Sequence, residues 1–396
     1  MGLHNDVLGL ARFMPNWKKQ FLRDVKKPRK HAWFVTNLGG YGREAGKGHT
    51  KACRHCNGLT LDLRRDSRSL YTIVQICWQT SNATDFCSGH ILSLNATGKL
   101  RNEFVAEAGK GSLLHPWLRW RSTMDRNYSY LEEAEREIAA FHGAEEGLLV
   151  GSVFEANVAV ETALPQPGDV LLYDKLVHAS THEGMKKSRA KHRVEFLHND
   201  LESFRDTIID ILENDGSIRE GKSTVLVAVE SIYSMGGDVC PLREIVDIGE
   251  KLCSRQGNIQ FIVDDAYSVG VIGPKGSGLV RELGLEKHVA VVVHSYRKPS
   301  RTRIQAHARL FFETLTSHPL WNKTKSTSLI RVPLAEGWEK RPFLTHIMTV
   351  STRQRYTYWL FVHLMAASYS VFPVPCPIVP IGQNRLRIIF HSNNTE

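Results

Sequence analysis

IQFIVDDAYSVG (259–270) runs through a short, almost unbroken apolar segment and stops on two carboxylates. VAVVVHSYRK (289–298) is a second such run and leads to Lys298. Continuous apolar runs, rather than alternating ones, mark strands of a parallel sheet covered on both faces. The same pattern occurs upstream in STVLVAVESIYS (223–234) and PQPGDVLLYD (165–174), with a short strand at 194–197. Helical segments separate these strands. LESFRDTIIDILEN (201–214) is amphipathic, PLREIVDIGEKLCSRQG (241–257) begins with Pro and ends with Gly, and HASTHEGMKKSR (178–189) opens another helix. In YSYLEEAEREIAAFH (128–142), Leu131, Ala134, Ile138 and Phe141 form one stripe, Glu132 and Glu133 suit the first turn, and Gly143 stops the helix. GLLVGSVFEANVAVETAL (147–164) reads as an apolar strand, a small-residue turn and a helix start. Alternating strands and helices predict an α/β fold, and polar residues in such folds gather their chemistry at strand carboxyl ends.

At 396 residues the chain has room for two domains or one large two-lobed fold with a sizeable core. No run approaches the ~20 apolar residues of a membrane span, so no membrane partner is expected. The net charge of +10 is unevenly spread: residues 1–75 hold 15 Lys/Arg against 5 Asp/Glu, 76–300 hold 24 against 32, and 301–396 hold 12 against 4. Basic flanks are a footprint of nucleic-acid binding, but these lack periodicity, and no nucleic-acid partner is expected. Seven scattered cysteines do not make a disulfide framework. Cys53 and Cys56 have zinc-knuckle spacing without the second pair a tetrahedral site needs, so no metal is expected. The first 20 residues carry no secretory signal. A cytoplasmic location is expected, and the basic N-terminus is also compatible with mitochondrial import.

The residues after the strands are Ser152, Asp174 and His178, Glu230 and Ser234, Asp264, and Ser295 with Lys298. A carboxylate emerging from a buried strand, as at Asp264, needs a cationic or hydrogen-bonding partner. A protonated pyridine nitrogen is such a partner. Lys298, after the next strand, is placed to act as a nucleophile or form a Schiff base. His178 offers a flat ring, and the small residues of GSVFEAN (151–157) offer amides to a phosphate. Taken singly these are ordinary features: a cap, a surface charge, a structural histidine. Together they describe a pyridoxal phosphate site.

DFCSGHILSL (85–94), residues 127–160, PGDVLLYDKLVHASTHEGM (167–185), HND (198–200), ESIYSMGGDVCPL (230–242), VDDAYSVGVIGPKGSGLV (263–280), HSYRK (294–298) and PCPIVPIGQNRLRIIFHSNNT (375–395) occur in the order of a known family. The chain resembles the α-oxoamine synthases, acyl-CoA-dependent fold-type I pyridoxal phosphate enzymes, most of all the 8-amino-7-oxononanoate synthases. The resemblance covers roughly 85–298 and 366–396. It implies a mostly parallel sheet with helices on both faces and a smaller C-terminal α+β domain that looks incomplete here. It divides the chain into a divergent basic segment (1–84), a cofactor-binding large domain (85–298) and a divergent linker with a partial small domain (299–396).

The resemblance also implies roles. Lys298, Asp264 and His178 would be catalytic: aldimine lysine, partner of the pyridinium nitrogen, and ring stacked on the pyridine. Ser152, Phe154 and the neighbouring amides would cover the cofactor and hold its phosphate, which Ser295 would also touch. Ser234 and Tyr267 would approach the phenolic oxygen, and Arg387 and Arg121 would bind the amino-acid carboxylate. Three departures stand out. Tyr267 stands where the family has His, Arg297 and Pro299 flank the lysine where small residues are usual, and 299–365 is basic, weakly periodic and without a counterpart.

The implied activity is condensation of an alanine-like amino acid with an acyl-CoA, with decarboxylation to an α-amino ketone, in a biotin-type pathway or in secondary metabolism. Pyridoxal 5'-phosphate is the implied cofactor and a homodimer the implied assembly. The alternatives are a class I/II aminotransferase of the same fold, told apart by 2-oxo acid consumption, and an inactive homologue with a disrupted gene model.

Overall fold

The computed structural model describes residues 83–87, 102–103, 105–106, 129–254, 257–296, 301–327, 329–376, 378–392 and 394. These fall into two compact units, one within 89–350 and 387–396, the other within 1–88 and 351–386.

The larger unit runs α1 (Ser129–His142), α2 (Val153–Ala163), β1 (Val170–Asp174), α3 (Ala179–Lys187), β2 (His192–Phe196), α4 (Leu201–Asn214), β3 (Val225–Glu230), α5 (Leu242–Leu252), β4 (Ile259–Asp264), β5 (Val291–Val293) and α6 (Arg301–Ser317). These five strands form one all-parallel sheet, in the order β2–β1–β3–β4–β5, and the strands Ile330–Arg331 and Ile347–Thr352 belong to a separate four-stranded sheet. Every residue of the central strand β3 is buried, which is why VLVAVE carries no polar alternation. Side chains alternate between two cores. Val170, Leu172, Val227 and Val263 pack with Phe204, Ile208 and Ile211 of α4 and Leu242 and Ile245 of α5. Leu171, Leu226 and Ile262 face the other way, against Val177 and Met185 beside and within α3. Each fully buried aliphatic side chain contributes about 1.5–3 kcal/mol.

The chain leaves β1 toward β2 on one side and resumes at β3 on the other, so the strand order reverses between β1 and β3. The carboxyl ends of strands at such a switch form the natural ligand crevice of an open α/β sheet. Asp174, Glu230 and Asp264 end β1, β3 and β4, and Glu230 is in register with Asp264.

Two sequence expectations change. GLLV (147–150) forms no strand among the described residues, and Leu148 is 82% exposed; four apolar residues cannot hold an extended conformation without a pairing edge. The stretch 299–365, read as weakly periodic, contains α6, whose Ile304, Ala308 and Phe312 are buried at four-residue spacing. Its Arg, Gln and His neighbours obscure a narrow stripe of one residue per turn.

In the smaller unit, Thr84–Asp85 pairs in parallel with Tyr369–Ser370, and Gln354–Ala366 is helical. No helix among the described residues is long and apolar enough to cross a membrane, and no group of three His, Cys, Asp or Glu there is arranged to hold a metal ion.

Candidate active site

Asp264 is the last residue of β4. Its Oδ2 accepts from the Asn157 side-chain amide at 2.6 Å and its Oδ1 from the Ala266 backbone N–H at 3.0 Å. Both donors are neutral. Burial pushes the Asp264 carboxyl above its ordinary range, and the Asn157 hydrogen bond only partly opposes this. A cation or a protonated ring nitrogen facing this carboxylate would offset the remainder.

Asn157 lies on α2 and is 3% exposed; its amide also donates to Ser180 Oγ at 3.0 Å. Ser180 Oγ meets His178 Nδ1 at 2.7 Å, and the Ser180 N–H donates to the same nitrogen at 3.2 Å. His178 thereby caps α3 with its ring. A hydrogen-bonded line therefore joins His178 to Asp264 through Ser180 and Asn157. The Phe154 ring meets His178 edge-on, centroids 6.3 Å apart, and is itself 48% exposed. Sequence reasoning passed over Asn157. A poor helix former on a helix face otherwise destined for burial was the available signal.

Glu230 ends β3. Its Oε2 accepts from the Ser234 N–H at 3.3 Å, and its Oε1 has no hydrogen-bond partner among the described residues. Burial, reinforced by the Asp264 charge, holds this carboxyl well above the usual carboxylate range. The Ser234 carbonyl accepts from Arg387 Nη1 at 3.1 Å, so the structure brings these two expected site residues together. Tyr267 stacks on His346 with centroids 5.9 Å apart.

Asp265 has partners distinct from those of Asp264. It is fully buried, accepts from Ser268 Oγ and from the Leu279 N–H at 3.4 Å, and burial raises its carboxyl to about 7. A Cβ at Gly278 would collide with its Oδ2. His294 Nδ1 lies 3.6 Å from that oxygen, and its ring stacks on His142 at 3.6 Å. Burial drives His294 down to about 3, so this pair is neutral packing directly before Ser295.

Of the remaining expected residues, Ser152 is exposed and spends its hydroxyl as the N-cap of α2, accepting from the Glu155 N–H at 3.2 Å. Its contribution to a phosphate would come from the backbone. Ser295 is half-buried two residues after β5. Lys298 and Arg121, with Arg297, Pro299, Cys53 and Cys56, lie outside the described residues. Carboxylate, imidazole and phenyl groups gathered at the strand ends fit a flat heteroaromatic cation. The burial of Asp264, only partly offset by Asn157, Ala266 and His178, is the observation that a facing cation would complete.

Comparison with known proteins agrees with that fit. The family model for aminotransferase class I and II matches residues 124–299. The aminoacyl transferase sphA of Byssochlamys spectabilis is 40% identical over 389 residues, covering 85% of this chain and 83% of its own. An 8-amino-7-oxononanoate synthase of Emericella nidulans is 44% identical over 219 residues, 55% of this chain and 53% of its own. Among solved structures, a serine palmitoyltransferase from S. paucimobilis matches with a TM-score of 0.63 at 18% identity, over 79% of this chain and 83% of that one, a likeness of fold.

Proposed function

Because the chain belongs to the α-oxoamine synthase family of fold-type I pyridoxal phosphate enzymes, we propose that it condenses an alanine-like amino acid with an acyl-CoA, with loss of the carboxyl group as carbon dioxide and release of coenzyme A, to give an α-amino ketone. It is a pyridoxal-phosphate-dependent transferase; the amino acid, the acyl thioester and the roles of individual residues are our reading. Bound pyridoxal phosphate supplies an electron sink for negative charge at the amino acid Cα.

The protein's part is positioning and proton traffic. Asp264, held by Asn157, would keep the ring nitrogen protonated. His178 would stack on the ring, with Phe154 closing over it. The amides at the start of α2, beside Ser152, and the Ser295 hydroxyl would hold the phosphate. Ser234 and Tyr267 would face the phenolic oxygen. Lys298 would anchor the cofactor and then take the Cα proton, and Arg387 with Arg121 would bind the substrate carboxylate. Residues 85–298 would form the cofactor-binding domain, between the segment 1–84 and a smaller C-terminal domain within 299–396. We also propose a homodimer in the cytoplasm, serving a biotin-type or secondary-metabolic pathway.

The observation that carries this reading is the line His178–Ser180–Asn157–Asp264 at the strand switch, with Arg387 seated on the Ser234 carbonyl nearby. The test is coenzyme A release by the purified holoenzyme with alanine, serine or glycine and acyl-CoA of graded chain length. Alanine-dependent thiol release is expected. Consumption of a 2-oxo acid without thiol release would favour the aminotransferase reading, which the class I and II match also suits. Absence of both, with cofactor bound, would favour an inactive homologue.

A further inference from the structure

We propose that His198 is a positioning residue for Arg387: clamped between two carboxylates, it fixes the loop 231–240 whose Ser234 carbonyl carries that guanidinium. The inference rests on the reading of Arg387 as the arginine for the substrate carboxylate.

His198 follows β2 and reaches two elements at once. Its Nδ1 lies 2.9 Å from Oδ1 of Asp174, the fully buried end of β1, and its Nε2 lies 2.5 Å from Oδ2 of Asp238 in the loop. Both ring nitrogens face carboxylate oxygens, and only the imidazolium can donate to both. A neutral ring would turn one lone pair against an anion. Asn199 reinforces the clamp, its N–H donating to Asp174 Oδ2 at 2.9 Å and its amide to Asp238 Oδ2 at 3.0 Å. The Tyr233 ring meets His198 edge-on at 4.5 Å. Burial works against the charge, but the hydrogen bonds to Asp174 and Asp238 hold the imidazolium up to about 9.

The loop transmits this restraint because it is internally tight. The Tyr233 N–H donates to the Asp238 carbonyl at 3.0 Å, the Gly236 and Gly237 N–H groups to the Tyr233 carbonyl at 3.2 and 2.8 Å, and the Cys240 N–H to the Ser231 carbonyl at 3.0 Å. Ile232 and Val239 form an antiparallel bridge. Displacing Asp238 therefore displaces Ser234, one residue beyond Tyr233. On its far side the loop is tied by Thr345 Oγ1 to the Gly237 carbonyl at 2.6 Å. Loss of His198 should thus shift the loop rather than unfold it. The loop also touches the cofactor side, since Ser231 donates to the Asp264 carbonyl through its N–H at 2.9 Å and its Oγ at 3.3 Å and Ser234 is read as a cofactor contact, so cofactor binding should suffer too, but less than amino-acid binding.

The test uses the full-length holoenzyme and the variants His198→Gln, Asp238→Asn and the double variant. Three quantities are measured: pyridoxal phosphate affinity, L-alanine affinity by spectral titration, and hydrogen exchange at amides 233–240. Each single variant should weaken alanine binding about tenfold, the loss of one charge-assisted hydrogen bond. The double variant should be no worse than the worse single one, because both remove the same His198–Asp238 link to the loop. Pyridoxal phosphate affinity should fall by clearly less than alanine affinity, and exchange at Tyr233, Gly236 and Gly237 should speed up. Native alanine affinity should fall as pH rises through about 9, and this fall should be absent in His198→Gln. Unchanged alanine affinity and exchange in the variants, additive effects, or equal loss of cofactor would overturn the inference. A native holoenzyme that binds no amino acid would instead sink the proposed function, and unaltered loop exchange would then separately sink the clamp.

Discussion

At the residue scale, the two carboxylates of the VDDA motif do different work. Asp264 faces the strand-end crevice with neutral donors, whereas Asp265 is sealed with its own partners. Asp264→Asn should lower pyridoxal phosphate affinity by at least tenfold and abolish turnover, measured by cofactor titration, since Asn supplies no negative charge to a ring nitrogen. Cofactor affinity equal to native would remove Asp264 from the site. Asp265→Ala should instead leave cofactor affinity unchanged and cost about 1–3 kcal/mol of stability in denaturant unfolding, because the buried acceptor for Ser268 and Leu279 is lost. Adjacent residues at a strand end point to opposite sides, so this division was legible in the sequence. The sealing of Asp265 by Gly278 was not, because it depends on a turn thirteen residues away.

At the element scale, two glycines mark where backbones meet. Gly184 on α3 lies so close to α2 that a Cβ would come within 2.6 Å of Glu161 Cβ and 3.0 Å of the Val158 carbonyl. Gly237 has φ +78° and faces the Ile347 carbonyl, so Gly237→Ala should both strain the loop and push it off its neighbour. Weaker alanine binding with a smaller loss of cofactor affinity is the expected result; equal loss of both would mean that the damage is not local. Helix α6 is a second case. Phe312, 1% exposed, stacks on Trp338 at 5.8 Å, and Phe312→Ala should cost about 3–5 kcal/mol in chemical denaturation. A negligible change would show that this helix adds little to the core. Sequence periodicity located α4 to the residue, because its stripe of Phe204, Ile208 and Ile211 is wide and bounded by polar residues. It missed α6, where the stripe is a single residue per turn.

At the scale of the whole molecule, stability carries the imprint of buried acids. Glu161 is 2% exposed, its Oε2 has no hydrogen-bond partner among the described residues, and burial raises its carboxyl to about 8. The fold holds it protonated while the unfolded chain ionises near 4.5. Stability is therefore full below about pH 4.5 and declines as pH rises to about 8. Denaturant midpoints for the native chain should fall across that window. Glu161→Gln should remove part of the fall, the rest coming from Asp265 and Glu230, and gain roughly 2–4 kcal/mol at pH 8, since each tenfold change in proton affinity is worth about 1.4 kcal/mol; an unaltered slope would assign the pH dependence to the other acids alone. The sequence by itself determined the parallel α/β architecture, the strand-end positions of Asp264, His178 and Ser234, and the family, because buried strands must be apolar throughout and their polar ends stand out. Only the tertiary structure decided that Asn157 and Ser180 join His178 to Asp264, that His198 bridges two carboxylates forty and twenty-four residues away, and that Arg387 sits on Ser234. Those pairings span separations for which no local period exists; sheet order and helix packing bring them within hydrogen-bond reach.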